Sequence, residues 1–166
     1  YSFSYYYHLI KNANNVIVMA SDLAATGNAS AKASLGQGYG FRALSYLDMA
    51  RLFEFRPTGV ERLDNAAQED GVMGLTVPIL RENMTVNEYK NNPCVPFYTM
   101  YRFIMNDLNK AEECLEGYKQ STIAFMDQNV IYGLKARLWL TMATRFENSP
   151  EDLAKQIEAD ANTDGY

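Results

Sequence analysis

The chain has 166 residues, a net charge of −5 at pH 7 and 48% hydrophobic residues. This length suits one domain with a sizeable core. The sequence has no run of about 18 apolar residues, so no membrane span is predicted. Nucleic-acid binding is excluded because it depends on clustered Lys and Arg. The basic residues here stand singly among acids, and we interpret them as solvated surface: Lys11, Arg42, Arg51, Arg56, Arg62 and Arg81.

The chain starts without Met, and its first residues lack the pattern of a signal peptide. We interpret the sequence as an internal fragment or a processed chain, with any targeting signal or lipid anchor outside it. Cys94 and Cys114 have no Cys or His at metal-ligand spacing, so no metal site is predicted. For these two cysteines a disulfide and free thiols both remain open, and buried free thiols are the commoner arrangement.

Two amphipathic helices are predicted first. From Tyr6, one helical stripe recurs every three to four residues: Leu9, Ile10, Ala13, Val16, Ile17 and Ala20. A run of small and polar residues, 24–34, separates it from a second helix over 33–53, which ends before Pro57. The inner face of the second helix comprises Ala43, Tyr46, Leu47, Ala50 and Phe53.

Residues 57–95 are predicted to form a long irregular loop inserted in a single helical-repeat domain, residues 1–166. Thr85 and Glu88 have the spacing of a capping box for one short helical turn. The only strand candidate, 75–80, contains Pro78, which disfavours a strand. Loops of this length inside a compact domain are usually functional, so we expect the binding site here.

Three more helices follow the loop. Pro96 precedes a third helix with a stripe from Tyr101 to Leu115. A fourth, 129–146, is capped by Asp127, and its apolar residues on several sides predict a central, buried helix. Ser149 and Pro150, followed by acids, indicate the start of a fifth.

The second and fourth helices resemble each other in sequence. Residues 40–53, GFRALSYLDMARLF, align with residues 133–146, GLKARLWLTMATRF, with Gly, Ala, Leu, Met, Ala and Phe in common. Two amphipathic helices can match in this way by chance. We favour an internal repeat, in which stacked hairpins of tetratricopeptide type pair the second helix with the third and the fourth with the fifth.

No catalytic centre, cofactor site or metal site is predicted. The only histidine, His8, has no carboxylate or Cys spaced for a triad or a ligand set. Gly36, Gly38 and Gly40 lack the preceding strand of a dinucleotide motif, and we expect them to allow close approach of a neighbouring backbone. Adjacent acids such as Glu112 and Glu113 diverge on a helix, so they do not form a glycosidase pair.

Four ordered segments resemble the SusD/RagB-like family of outer-membrane nutrient-binding lipoproteins. The main one is 40–53, with its Arg-Ala pair, central aromatic and final Arg-Leu-Phe. The others are 6–18, 101–115 and 133–141. The resemblance implies a tetratricopeptide-like all-α scaffold. It also implies a non-catalytic protein that is lipid-anchored at the bacterial cell surface and passes oligosaccharide or peptide to a SusC-like, TonB-dependent transporter.

The family's ligand residues vary, so none is transferred to this chain. Sugar sites combine exposed aromatic rings with polar donors, and five residues have that make-up: Tyr89, Asn91, Asn92, Phe97 and Tyr98. Packing of these residues against the scaffold is the alternative. Two other functions remain open: a helical-repeat scaffold for protein interaction, and a carbohydrate-active enzyme with carboxylates supplied by other sequence.

Overall fold

The computed structural model of the chain describes residues 1–144. In that part the helices are α1 (Ser2–Ala25), α2 (Ala29–Phe53), α3 (Glu61–Glu69), α4 (Val86–Lys90), α5 (Phe97–Cys114) and α6 (Gln128–Ala143). This part has no named strand, and its one isolated antiparallel bridge joins Leu75 and Pro96. The all-α prediction is confirmed. The end of the predicted fourth helix at Phe146 and the fifth helix after Ser149 lie outside the described residues.

Helix α2 lies at the centre of the described helices. It packs against α1 on one side and α5 on the other, while α6 packs mainly on α5. The approach is close because a Cβ on Gly38 would lie 2.8 Å from Cγ1 of Ile17, and one on Gly36 would lie 2.7 Å from Cγ of Leu115. The predicted close approach of a neighbouring backbone is confirmed at Gly38, where the carbonyl oxygen of Ala13 would lie 3.3 Å from the Cβ, whereas Gly36 and Gly40 face side chains.

Helices α1 and α2 form a hairpin that was not predicted. Helices α1 and α2 are joined by a turn of three residues, Thr26, Gly27 and Asn28, and Asn28 accepts a hydrogen bond from the N–H of Ala31 as the N-cap of α2. The run 24–34 therefore does not separate the helices as predicted, because Ala and Ser continue a helix once Asn28 has capped it. Helix α2 also packs against α5 across the long connection, which is the predicted pairing of the second helix with the third, and α5 packs in turn on α6. The predicted pairing of the fourth helix with a fifth lies outside the described residues.

The core forms where α1, α2 and α5 meet. Ile10, Tyr46, Leu47, Ile104 and Leu108 have no measurable solvent exposure. Helix α6 contributes Ile131, Leu134, Leu138 and Met142. Its prediction as a central, buried helix is wrong within the described residues, since Trp139 is 55% and Leu140 67% exposed. Among the described helices, α6 packs mainly on α5, whereas α2 packs against both α1 and α5.

The connection between α2 and α5 contains more helix than predicted. The capping box of Thr85 and Glu88 is present and starts α4. Helix α3 was not predicted, because it is mostly polar and buries only Ala67. Both cysteines are free; Cys94 is exposed and Cys114 half-buried. No helix among residues 1–144 has the length and apolarity needed to cross a bilayer.

Candidate ligand-binding groove

A groove with many polar side chains and a volume of about 570 Å³ lies between α1 and the segment of residues 80–89 in the connection between α2 and α5. We call it the α1 groove. Helix α1 contributes Tyr7, His8, Lys11, Asn14 and Asn15, and the segment contributes Arg81, Glu82, Asn83 and Tyr89. The volume is within the range of small-molecule sites, which are clefts with a few fixed polar groups.

The far wall of the groove is fixed to the helices by side chains. The N–H of Leu80 donates to the hydroxyl of Tyr46 at 2.6 Å, and Nδ2 of Asn14 donates to the carbonyl of Leu80 at 3.0 Å. The hydroxyl of Tyr7 donates to the carbonyl of Pro78 at 2.8 Å. Burial raises the pKa of Tyr7, so this hydroxyl keeps its proton. The segment is therefore held in place before any ligand binds.

A buried ionic cluster lies beneath the groove. Arg42 is 1% exposed, so its interpretation as solvated surface is wrong. Its Nε and Nη2 donate to the two carboxylate oxygens of Asp107 at 2.7 and 2.8 Å, and Nη1 donates to Oδ1 of Asn14 at 2.7 Å and to Glu82. We call Arg42, Asn14, Glu82 and Asp107 the Arg42 cluster. A bidentate Arg–carboxylate pair fixes orientation as well as charge.

The cluster sets the ionisation of Arg42 and Glu82. Burial alone would lower the pKa of Arg42, but its hydrogen bonds and charge pairs with Asp107 and Glu82 outweigh this and raise it. Burial would likewise raise the pKa of Glu82, but the charge of Arg42 and their hydrogen bond lower it overall. Both groups are therefore charged at neutral pH, and Glu82 is oriented by a buried partner.

The structure brings only some of the predicted ligand residues together. Tyr89 is 61% exposed at the edge of the α1 groove. It shares an adjoining cavity of about 370 Å³ with Asn92, whose Nδ2 also donates to the carbonyl of Ile79. Asn91 is exposed and bonds to Asn87 within α4.

Two predicted ligand residues belong to α5 instead. Phe97 is 8% exposed and lies against Tyr101, with 4.0 Å between ring centroids. The structure therefore places Phe97 in the hydrophobic core, not in a ligand site. Tyr98 is half-buried on the same helix.

Sequence reasoning missed most of the polar lining of the groove. Asn14 and Asn15 lay off the apolar stripe of α1, which marks an exposed face but not a site. A usable signal was Arg42 beside the inner-face residue Ala43, together with Asp107 beside Leu108. A cation and an acid on two apolar faces predict a buried pair, because a charge is rarely buried without a partner.

Two other kinds of candidate site are a metal-ligating cluster and a second cavity. Among residues 1–144, no group of three or more His, Cys, Asp or Glu side chains could hold a metal ion. A larger cavity of about 720 Å³ lies between α1 and α2, and its lining is mostly apolar, including Tyr5, Phe41 and Phe125. Within residues 1–144, the α1 groove and the adjoining cavity combine the exposed ring of Tyr89 with fixed polar groups and residues of the predicted loop.

Comparisons with known proteins identify the fold. No protein-family model and no curated protein matches the sequence. Solved structures do match. A SusD-like carbohydrate binding protein from Bacteroides vulgatus superposes with a TM-score of 0.68 and 22% identity, over 99% of this chain and 31% of that one.

Two further structures agree. A SusD superfamily protein from Bacteroides thetaiotaomicron has a TM-score of 0.63 and 16% identity, over 98% of this chain and 31% of that one. Another, from B. vulgatus, has a TM-score of 0.58 and 22% identity, over 96% and 33%. The chain spans about a third of the length of these structures. The resemblance predicted from four ordered segments is thus confirmed in the fold, and the chain has the fold of about one third of a SusD-like protein.

Proposed function

We propose that this chain is part of a SusD/RagB-like nutrient-binding protein and that its α1 groove binds saccharide without catalysis. The single observation that supports this most is the exposed ring of Tyr89 beside a groove whose amide and carboxylate groups are fixed by Arg42. Aromatic rings offer flat apolar faces, and oriented polar groups select the hydroxyls around a sugar ring. One matched structure, from B. vulgatus, is of a SusD-like carbohydrate binding protein.

The proposal includes the setting that the resemblance implies. The full-length protein would be lipid-anchored at the outer surface of a bacterial outer membrane and would deliver its ligand to a SusC-like, TonB-dependent transporter. The fold similarity to SusD-like proteins supports this setting. Its test is co-purification of the full-length protein with a TonB-dependent transporter from outer-membrane extracts.

The saccharide site is tested by affinity gel electrophoresis against plant, mucin and microbial polysaccharides. We expect at least one to retard the chain. Tyr89→Ala should then weaken retardation about threefold to tenfold, since a favourable aromatic contact contributes about 0.5–1.5 kcal/mol. Tyr5→Ala is the matched control, because Tyr5 is also 61% exposed but lies in the cavity between α1 and α2. Equal retardation of the two variants would exclude Tyr89 from the site.

A protein-interaction scaffold is the second candidate. It is favoured by the mostly apolar cavity of about 720 Å³ between α1 and α2, since exposed apolar surface often marks a protein interface. This function predicts that no polysaccharide retards the chain. It also predicts that Phe41→Asp, in that cavity, abolishes partner binding while Tyr89→Ala leaves it unchanged.

A further inference from the structure

The lining of the α1 groove is richer in cations than the chain as a whole. The net charge of the chain is −5. Yet Lys11 and Arg81 line the groove as exposed side chains, and His8 lies beside them. Among the described residues that line the groove, Glu82 has the only carboxylate. The local charge of this groove is therefore opposite in sign to that of the whole molecule, a pattern that selects charged ligands.

The carboxylate of Glu82 is largely compensated by neighbouring cations. It pairs with Arg42, whose other partner is Asp107. Lys110 also acts electrostatically on both Glu82 and Asp107. Two cations thus face two carboxylates beneath the groove. The positive charge of Lys11, on the opposite wall, is left to act on whatever occupies the groove.

Arg81 has an acidic neighbour, Glu88, on α4. Glu88 acts on Arg81 electrostatically, but its carboxylate accepts hydrogen bonds from the N–H and Oγ1 of Thr85 in the capping box of α4. It does not line the groove. Neutral amides complete the rim, since Asn15 and Asn83 are exposed there and can donate to ligand oxygens.

We infer that the α1 groove prefers acidic saccharides, above all those built from uronic acids, to neutral ones. Lys11 and Arg81 would bind the ligand carboxylates, and Tyr89 would contact a sugar ring. Charge-assisted hydrogen bonds to carboxylates are about twice as strong as neutral ones. This inference rests on the proposed saccharide-binding function and specifies its ligand class.

The test compares two forms of one polymer by affinity electrophoresis of the 166-residue chain. De-esterified homogalacturonan has free carboxylates, while methyl-esterified homogalacturonan has the same sugar backbone without that charge. Alginate serves as a second acidic polymer and amylopectin as a neutral one. We expect retardation by the acidic polymers, reduced by added salt because partly exposed charges are screened, and little retardation by the esterified or neutral polymers.

Variants connect the preference to the groove. Lys11→Gln and Arg81→Gln should each weaken retardation by the acidic polymers, up to about fivefold for one exposed charge pair. Lys90→Gln is the control, because Lys90 is exposed on α4 but does not line the groove. Circular dichroism of each variant confirms that the helices are intact.

Each outcome decides between the claims. Retardation by acidic polymers that Lys11→Gln weakens and Lys90→Gln does not would support the inference. Equal or stronger retardation by the esterified or neutral polymers would overturn the ligand class and leave saccharide binding standing. Retardation by acidic polymers that none of the lining variants changes would place the acidic site outside the groove and overturn the inference. No retardation by any polymer would overturn both.

Discussion

At the scale of single residues, Arg42 connects the core to the groove. It joins α2 to α5 through Asp107, to α1 through Asn14 and to the long connection through Glu82. Sequence periodicity placed its neighbours Ala43 and Tyr46 in the core, but it could not place Arg42 there. A buried guanidinium needs partners, and these lie 28 to 65 positions away in the chain.

Arg42→Met should lower the free energy of unfolding by about 3–5 kcal/mol, because it removes the hydrogen-bonded ion-pair partner of the buried Asp107. Urea denaturation followed by circular dichroism measures the loss. Arg137→Met is the control, since Arg137 pairs with Asp48 and the two side chains are 37% and 28% exposed. Exposed pairs contribute about 0–1 kcal/mol. Equal losses for both variants would show that the Arg42 cluster does not stabilise the fold.

At the scale of elements, the positions of α1, α2, α5 and α6 were predicted, but several of the elements that pack against them were not. Apolar periodicity located α1, α2, α5 and α6, because burial of one helical face determines it. The same signal failed for α3, whose residues are mostly polar. Apolar periodicity also failed to predict the exposure of α6, since an apolar helical face can be recognised in a sequence without knowing whether another helix covers it.

Helices α2 and α6 each contain a glycine whose replacement by Ala should have the opposite effect on stability. Gly38→Ala should destabilise the fold by about 1–3 kcal/mol, the usual cost of overpacking. Its Cβ would lie 2.8 Å from Ile17 and 3.3 Å from the carbonyl oxygen of Ala13, so α1 would have to shift. Gly133→Ala should stabilise by up to about 1 kcal/mol through helix propensity, because no atom of residues 1–144 outside its own helical turns lies within 4 Å of its Cβ position.

Thermal unfolding of the two variants measures these opposite effects. A stabilised Gly38→Ala variant would contradict the close packing of α1 against α2. The internal repeat is tested as well: Gly40 of α2 packs against Met126, whereas its aligned counterpart Gly133 has open space among the described residues. The sequence similarity of the two helices therefore does not extend to equal packing.

At the scale of the whole molecule, the fold was predictable and the site was only partly so. Four ordered segments sufficed for the SusD-like fold, since the chain shares that fold with structures that are only 16–22% identical to it. The groove instead depends on tertiary contacts such as that of Asn14 with Leu80, which are 66 positions apart. Sequence reasoning selected Tyr89 and Asn92 from the long connection but could not find the wall contributed by α1. That the chain is one domain with 57–95 as an insertion stays a prediction.

The measurement that tests the central claim most directly is a two-dimensional amide NMR titration of the ¹⁵N-labelled chain with oligosaccharides cut from whichever polysaccharide retards it. We predict saturable shifts for the amides of Lys11, Asn14, Asn15, Glu82 and Tyr89, which line the α1 groove, and unchanged amides around Phe41 and Phe125 in the cavity between α1 and α2. Shifts confined to that second cavity, or no saturable shifts anywhere, would contradict saccharide binding in the α1 groove.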